Sequence, residues 1–151
     1  MDAVSIILAD AESVGVAVAL FKAQLEEHEI FTSEEALHAV AVAVISDPSR
    51  GFILLARDDD GSFVGIAYAA SHLSAEHGGT IGWLEELYIQ PEWRSRGVGS
   101  SLLQATIARA QQLHWRALEL EVVAGHERAV PLYVRHGFQA LDRARFNRML
   151  Q

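Results

Sequence analysis

Residues 87–103 read Leu87-Tyr88-Ile89-Gln90-Pro91-Glu92-Trp93-Arg94-Ser95-Arg96-Gly97-Val98-Gly99-Ser100-Ser101-Leu102-Leu103, and this stretch decides the fold. Leu87–Ile89 closes an apolar run that begins near Thr80, so a strand ends here. Gln90–Trp93 breaks the chain, and Arg94–Gly99 opens a helix that the periodicity carries to about His114. A strand feeding a glycine-rich turn and a helix presents several backbone N–H groups at a positive dipole end, which suits an anion and above all a phosphate. Gly97 and Gly99 let the backbone come close to such a ligand, and Arg94 and Arg96 add charge. Two other phosphate loops fail on spacing. A Walker loop needs four residues between its glycines and a Lys after the second, and only Val98 separates this pair. The dinucleotide fingerprint needs a third glycine at 102, which is Leu.

The elements on either side are legible from the same rules. Downstream, the alternating segment Ala117–Val123 predicts a fifth strand, Ala124-Gly125 a turn, and Glu127–His136 a short helix that ends at Gly137. Phe138 onward predicts one or two more strands. Upstream, Val4–Ala9 predicts a first strand and Ala11 to about His28 a helix. Thr32-Ser33-Glu34-Glu35 has the spacing of a capping box, with Thr32 as cap, for a second helix that Asp47-Pro48 ends. Gly51–Arg57 and Phe63–Ala70 predict a hairpin, and Ser71–Gly79, with His72, Glu76 and His77, a loop. This order predicts a single α/β domain over residues 1–151, with helices on both faces of its sheet.

The run at 87–103 resembles the acetyl-CoA motif of the GNAT superfamily, whose core is Arg/Gln-x-x-Gly-x-Gly/Ala. A second match follows at the expected distance: His126-Glu127-Arg128-Ala129, then Leu132-Tyr133, then His136-Gly137-Phe138. It is similar to the family's Asn-x-x-Ala-x-x-Leu-Tyr-x-x-x-Gly-Phe segment. His126 stands where the family usually has Asn, and Pro131 lies inside the short helix, where only a first-turn position tolerates it. The resemblance implies the GNAT fold, a mixed and mostly antiparallel sheet of six or seven strands flanked by four helices. It implies an N-acetyltransferase that moves acetyl from acetyl-CoA to a primary amine by direct attack in a ternary complex.

Roles come with the resemblance position by position. Backbone groups of Leu87, Tyr88 and Ile89 are expected to pair with the pantetheine arm as an added strand would. Arg94, Ser95, Arg96, Gly97, Val98, Gly99 and Ser100 are expected to cradle the pyrophosphate through their amides, with His126 as a polar contact to the cofactor. Tyr133 matches the position that protonates the departing thiolate, and a phenol pKa of roughly 10 suits that task. The amine must lose a proton, and a carboxylate can accept it directly or through water: Glu85 or Glu86 on the strand, with His126, His72 and His77 as weaker candidates. Neighbouring strand residues face opposite ways, so one of the two is selected. Glu85 matches the base position of the polyamine branch, whose pattern Leu84-Glu85-Glu86-Leu87 resembles. The acceptor is expected between the first two helices, where Glu26, Glu27 and Glu29, with Glu86 from the strand, favour a cation.

Bulk properties narrow the class. Residues 1–93 hold three bases against sixteen acids, and residues 94–151 nine arginines against four acids, which gives the net −8. That balance argues against nucleic acid as a partner. No cysteine is present, so thiolate nucleophiles and Cys-based zinc sites are excluded, and the histidines lack the spacing of a metal site. The start of the chain lacks the basic, then apolar pattern of a signal peptide, and no apolar run has membrane-spanning length. The expectation is a cytoplasmic protein with acetyl-CoA as co-substrate, no metal and no membrane partner. Its substrate is expected to be a small cationic amine, polyamine or aminoglycoside-like. A protein or peptide acceptor, or a non-catalytic acyl-CoA sensor, are the alternatives. A homodimer through an apolar C-terminal strand is also expected.

Overall fold

A computed structural model describes residues 3–151. They divide into two units, residues 1–121 (described from residue 3) and 122–151. The first unit holds a five-stranded sheet in the order β1 (Ser5–Leu8), β2 (Gly51–Arg57), β3 (Phe63–Ser74), β4 (Gly79–Ile89) and β5 (Leu118–Glu119). Neighbours are antiparallel except β4 and β5, which are parallel. A parallel pair needs a crossover, and the helix α3 (Val98–Gln112) supplies it.

Helices α1 (Val14–Glu27) and α2 (Glu34–Ser46) cover one face. Ala17, Leu20 and Phe21 of α1 recur at helical spacing and join Leu37, Ala41 and Val44 of α2 over Ile53, Leu55, Ile66 and Tyr88. The other face carries α3, whose Val98, Leu102 and Leu103 are buried. A side chain at Gly65 would run into Ile89 and Leu102, so α3 approaches the sheet closely there. With both faces covered, β2 reads as a continuous apolar run and is buried from Gly51 to Ala56.

Several boundaries differ from the sequence expectation. Strand β3 runs on to Ser74, so His72 is a strand residue opposite Ile81 rather than part of a loop. The cap of α2 is Ser33, whose hydroxyl accepts from the Ala36 amide at 3.1 Å; Thr32 lies one residue too early. A capping box does exist, at Asp10 and Ser13, where the chain enters the turn before α1.

The sheet has five strands among the described residues, not six or seven. The fifth is only Leu118–Glu119, because alternation alone makes no ladder and β4 offers partners only at Gly82 and Trp83. The second unit contains one 3₁₀ turn (Glu127–Ala129) and helix α4 (Val130–Arg135), and residues 138–151 form no strand. That segment carries three arginines, and Phe146, Met149 and Leu150 are exposed. The C-terminal strand expected to join a dimer is therefore absent from the described residues. Pro131 falls in the first turn of α4, and Gly137, at φ 90°, ends it. No helix among the described residues is long and apolar enough to cross a membrane.

Candidate active site

The site grows out of β4. Strand β5 pairs with it only at Gly82 and Trp83, and among the described residues no β5 partner follows beyond Trp83. The edge of β4 from Leu84 to Ile89 thus offers backbone N–H and C=O groups to an extended ligand, as an unfilled strand position, except for the Ile89 carbonyl, which the Arg94 side chain holds. Leu87, Tyr88 and Ile89, expected from the sequence to bind the pantetheine arm, lie on this edge.

The edge leads through a 3₁₀ turn, Pro91–Trp93, into residues Arg94–Gly97. Gly97 adopts the left-handed conformation at φ 84° and caps α3 without any side-chain hydrogen bond. Ser95 is also left-handed, at φ 63°. The first amides of an α-helix have no intrahelical acceptor, and here no cap side chain takes them up. Such a curl of amides at the positive end of a fifteen-residue helix is a fitting cradle for a diphosphate. Val98 anchors the turn from below, at 1% exposure.

The two arginines of the turn behave differently. Arg96 lies over the Trp93 ring at 4.9 Å, a cation–π contact. Arg94 folds back instead. Its Nε donates to the Ile89 carbonyl at 2.9 Å, and one terminal nitrogen donates to both carboxylate oxygens of Glu27 at 2.8 Å. Glu27, expected to attract the acceptor, is thus committed to Arg94.

A register shift between Tyr68 and Ala69 puts an extra residue in β4, since Tyr68 pairs with Glu86 and Ala69 with Leu84. Glu85 is the bulged residue. The bulge reverses the facing of the residues beyond it. Glu86 shares a face with Tyr68, whose ring packs on Phe21 of α1 at 5.7 Å, while Leu84 shares the α3 face with Ala69. Glu86 is half-buried and hydrogen-bonded by the Gln24 side chain of α1; Glu85 is exposed. Burial pushes the Glu86 carboxyl from its ordinary 4.5 up to about 7; the Gln24 hydrogen bond opposes this and the charge of Glu85 adds to it. The Tyr68 phenol is also pushed up, first by burial and then by Glu85.

Gln24 belongs to the stretch Gln24–Glu29 expected on the acceptor side, but neither its hydrogen bond to Glu86 nor the Glu27–Arg94 pair was anticipated from sequence. Gln24 had a signal: it occupies the next position of the stripe Ala17, Leu20, Phe21, where a polar residue needs a partner. On the solvent side of α1, Glu26 lines a pocket of about 280 Å³ with Leu25, Ile30 and Phe31. Its one ammonium, Lys22, is bridged to Glu34 at 2.9 Å. Glu29 is exposed at the start of the α1–α2 connection, in the left-handed conformation at φ 58°.

In the second unit, Tyr133 is half-buried on α4, with its ring edge-on to Phe138 at 5.8 Å. Burial raises its phenol pKa. His126 is half-buried just before the 3₁₀ turn, its amide donating to Val123. No cluster of three or more metal-ligating side chains occurs among the described residues.

The sequence profile of the Acetyltransferase (GNAT) family matches residues 14–138, most of the chain. The chain belongs to the GNAT acetyltransferase family. GNAT relatives include the mycothiol acetyltransferase of Propionibacterium freudenreichii, 32% identical over 77% of this chain and 36% of that protein. The aminoglycoside N(6')-acetyltransferase type 1 of Stenotrophomonas maltophilia is 29% identical over 67% of this chain and 68% of that one. The chain thus spans about a third of the mycothiol enzyme and two thirds of the aminoglycoside enzyme. Among solved structures, an integron cassette protein from a salt-marsh metagenome superposes with a TM-score of 0.86, at 25% identity and over 97% of this chain and 90% of that one. Aminoglycoside N-acetyltransferase AAC(6')-Iy, solved with CoA, superposes at 0.84 and 18% identity over 100% of this chain and 97% of that one, which is a likeness of GNAT fold.

Proposed function

We propose that this protein transfers an acetyl group from acetyl-CoA to the primary amine of a small cationic molecule. The observation that carries the reading is the unpaired edge of β4 running into the amide-lined turn at Gly97. An extended arm ending in a diphosphate fits that sequence of donors. The aminoglycoside and mycothiol acetyltransferases among the relatives support a small-molecule acceptor.

Bound acetyl-CoA supplies an acetyl group activated as a thioester. The chain's residues bind, orient and move protons. Amides along Leu87–Ile89 and from Ser95 to Ser100 hold the arm and the diphosphate. Glu86 is assigned the base, in place of Glu85, because its carboxyl titrates near neutrality and is held by Gln24. Glu86 accepts the amine's proton, directly or through one water, as the N–C bond forms and the C–S bond breaks. Glu85 keeps a second negative charge beside it, which raises its basicity and attracts the cationic acceptor. Tyr133 is assigned the acid on the strength of the family motif, and its raised pKa keeps it protonated at neutral pH. Glu26 and Glu29 add to the pull on a cation. No cysteine exists to form a covalent intermediate, consistent with direct transfer.

The test is thiol release on mixing the protein with acetyl-CoA and a panel of spermidine, neamine and a lysine-rich peptide. Release with spermidine or neamine supports the reading. Release with the peptide alone moves the acceptor to proteins. Calorimetric binding of acetyl-CoA with no release from any amine leaves a sensor.

A further inference from the structure

Arg94 and Glu27 lie 67 positions apart in sequence, yet they make a two-pronged contact at 2.8 Å. The guanidinium is used on three sides. Nε holds the last carbonyl of β4, at Ile89, a terminal nitrogen holds Glu27, and the plane lies 5.5 Å from the Tyr88 ring centroid. Glu27 is the last residue of α1, where the chain leaves for the segment before α2. Arg94 is the first residue after the 3₁₀ turn that precedes Gly97. One side chain therefore joins the open strand edge, the start of the diphosphate turn and the end of the acceptor-side helix.

We propose that Arg94 is a positioning residue rather than a phosphate ligand, and that with Glu27 it couples the diphosphate turn to the segment between α1 and α2. The inference rests on the acetyl-CoA reading above. With Nε on the Ile89 carbonyl and one terminal nitrogen on Glu27, the guanidinium is held in place and its charge is offset by a carboxylate. What it does is fix where β4 ends, and so where the amides of Ser95–Gly97 begin. Because its far end is Glu27, ordering of the turn by a bound diphosphate also orders the end of α1. Both side chains are more than a third exposed, so the pair is worth a modest factor rather than the survival of the fold.

The two roles predict opposite signs. If Arg94 were a phosphate ligand, Glu27→Ala would free its charge and CoA would bind as tightly or more tightly. As a strut it loses its far anchor, and Kd for CoA rises about three- to fivefold. Calorimetry with CoA alone, needing no acceptor, measures this, and denaturant melts confirm that each variant is folded. Arg94→Glu weakens CoA roughly tenfold or more, since it adds a carboxylate and breaks the pair. The exchanged double variant, Glu27→Arg with Arg94→Glu, binds CoA about three- to fivefold more tightly than Arg94→Glu alone, because the pair re-forms with reversed polarity, and stays weaker than wild type because the bond to the Ile89 carbonyl is still lost. Hydrogen exchange gives the coupling: CoA slows amide exchange at residues 28–33 about threefold in wild type, and not in Glu27→Ala saturated with CoA. Unchanged or tighter CoA binding in Glu27→Ala, no rescue in the double variant, or no protection of 28–33 in wild type overturns the proposal. Failure of wild type to bind CoA at all overturns the acetyl-CoA reading along with it, and is distinct from those three results.

Discussion

Replacing Glu86 by glutamine tests the site through stability as well as through rate. In the folded chain the carboxyl is raised from 4.5 to about 7, chiefly by burial. Its folded pKa lies above its unfolded one, so the fold holds the proton longer. The favourable contribution is complete below about pH 4.5 and is lost as pH rises through 7. At about 1.36 kcal/mol per pH unit the loss has a ceiling of about 3 kcal/mol, and residual hydration of a half-buried carboxyl brings it to about 2 kcal/mol. Glutamine is nearly the same shape and can still accept from Gln24, but it does not ionise. Glu86→Gln is therefore close to wild type in unfolding free energy at pH 4.5 and more stable by about 2 kcal/mol at pH 8. Urea melts of both proteins at the two pH values measure it. Equal differences between variant and wild type at both pH values would refute the burial of a titrating carboxyl here, and with it the basis for choosing Glu86 as base.

The same substitution should remove an inflection near pH 7 from the rise of kcat/KM and lower turnover by about 10²–10⁴-fold; an unaltered profile assigns the base elsewhere. Gly97→Glu should abolish CoA binding by calorimetry, since it places a carboxylate in the turn and forces a side chain into a left-handed position. Tyr133→Phe should lower turnover more than it weakens CoA binding, and equal turnover reduces Tyr133 to packing. Gly82→Val should destabilise by about 2–3 kcal/mol or more in urea melts, because its first carbon would overlap the Trp115 ring beside β5.

The turn and α3 were legible because their signal is local: two glycines at fixed spacing, after a strand and before an apolar helical stripe. The bulge at Glu85 was not, because a bulge is a relation between two strands, and nothing in Leu84-Glu85-Glu86-Leu87 states which residue is the extra one. That one missing fact governs the choice between the two glutamates. Strict alternation allows one of them to face the acceptor, and the register puts Glu86 on the α1 face. Residues 117–123 and 138–151 show the reverse error, since pattern without a ladder partner predicts strand where only Leu118–Glu119 pairs. The Glu27–Arg94 bridge was invisible for a third reason. Acids on an exposed helix end look alike until a distant arginine is brought to one of them.

Backbone amide shifts on titration with CoA bear most directly on the open edge and the turn. A diphosphate seated in the turn gives saturable, large changes at Gly97, Gly99 and Ser100 together with Leu87–Ile89, and small ones at the far end of α3. Saturable binding that leaves the glycine amides unmoved would contradict this seating, as would no binding at all.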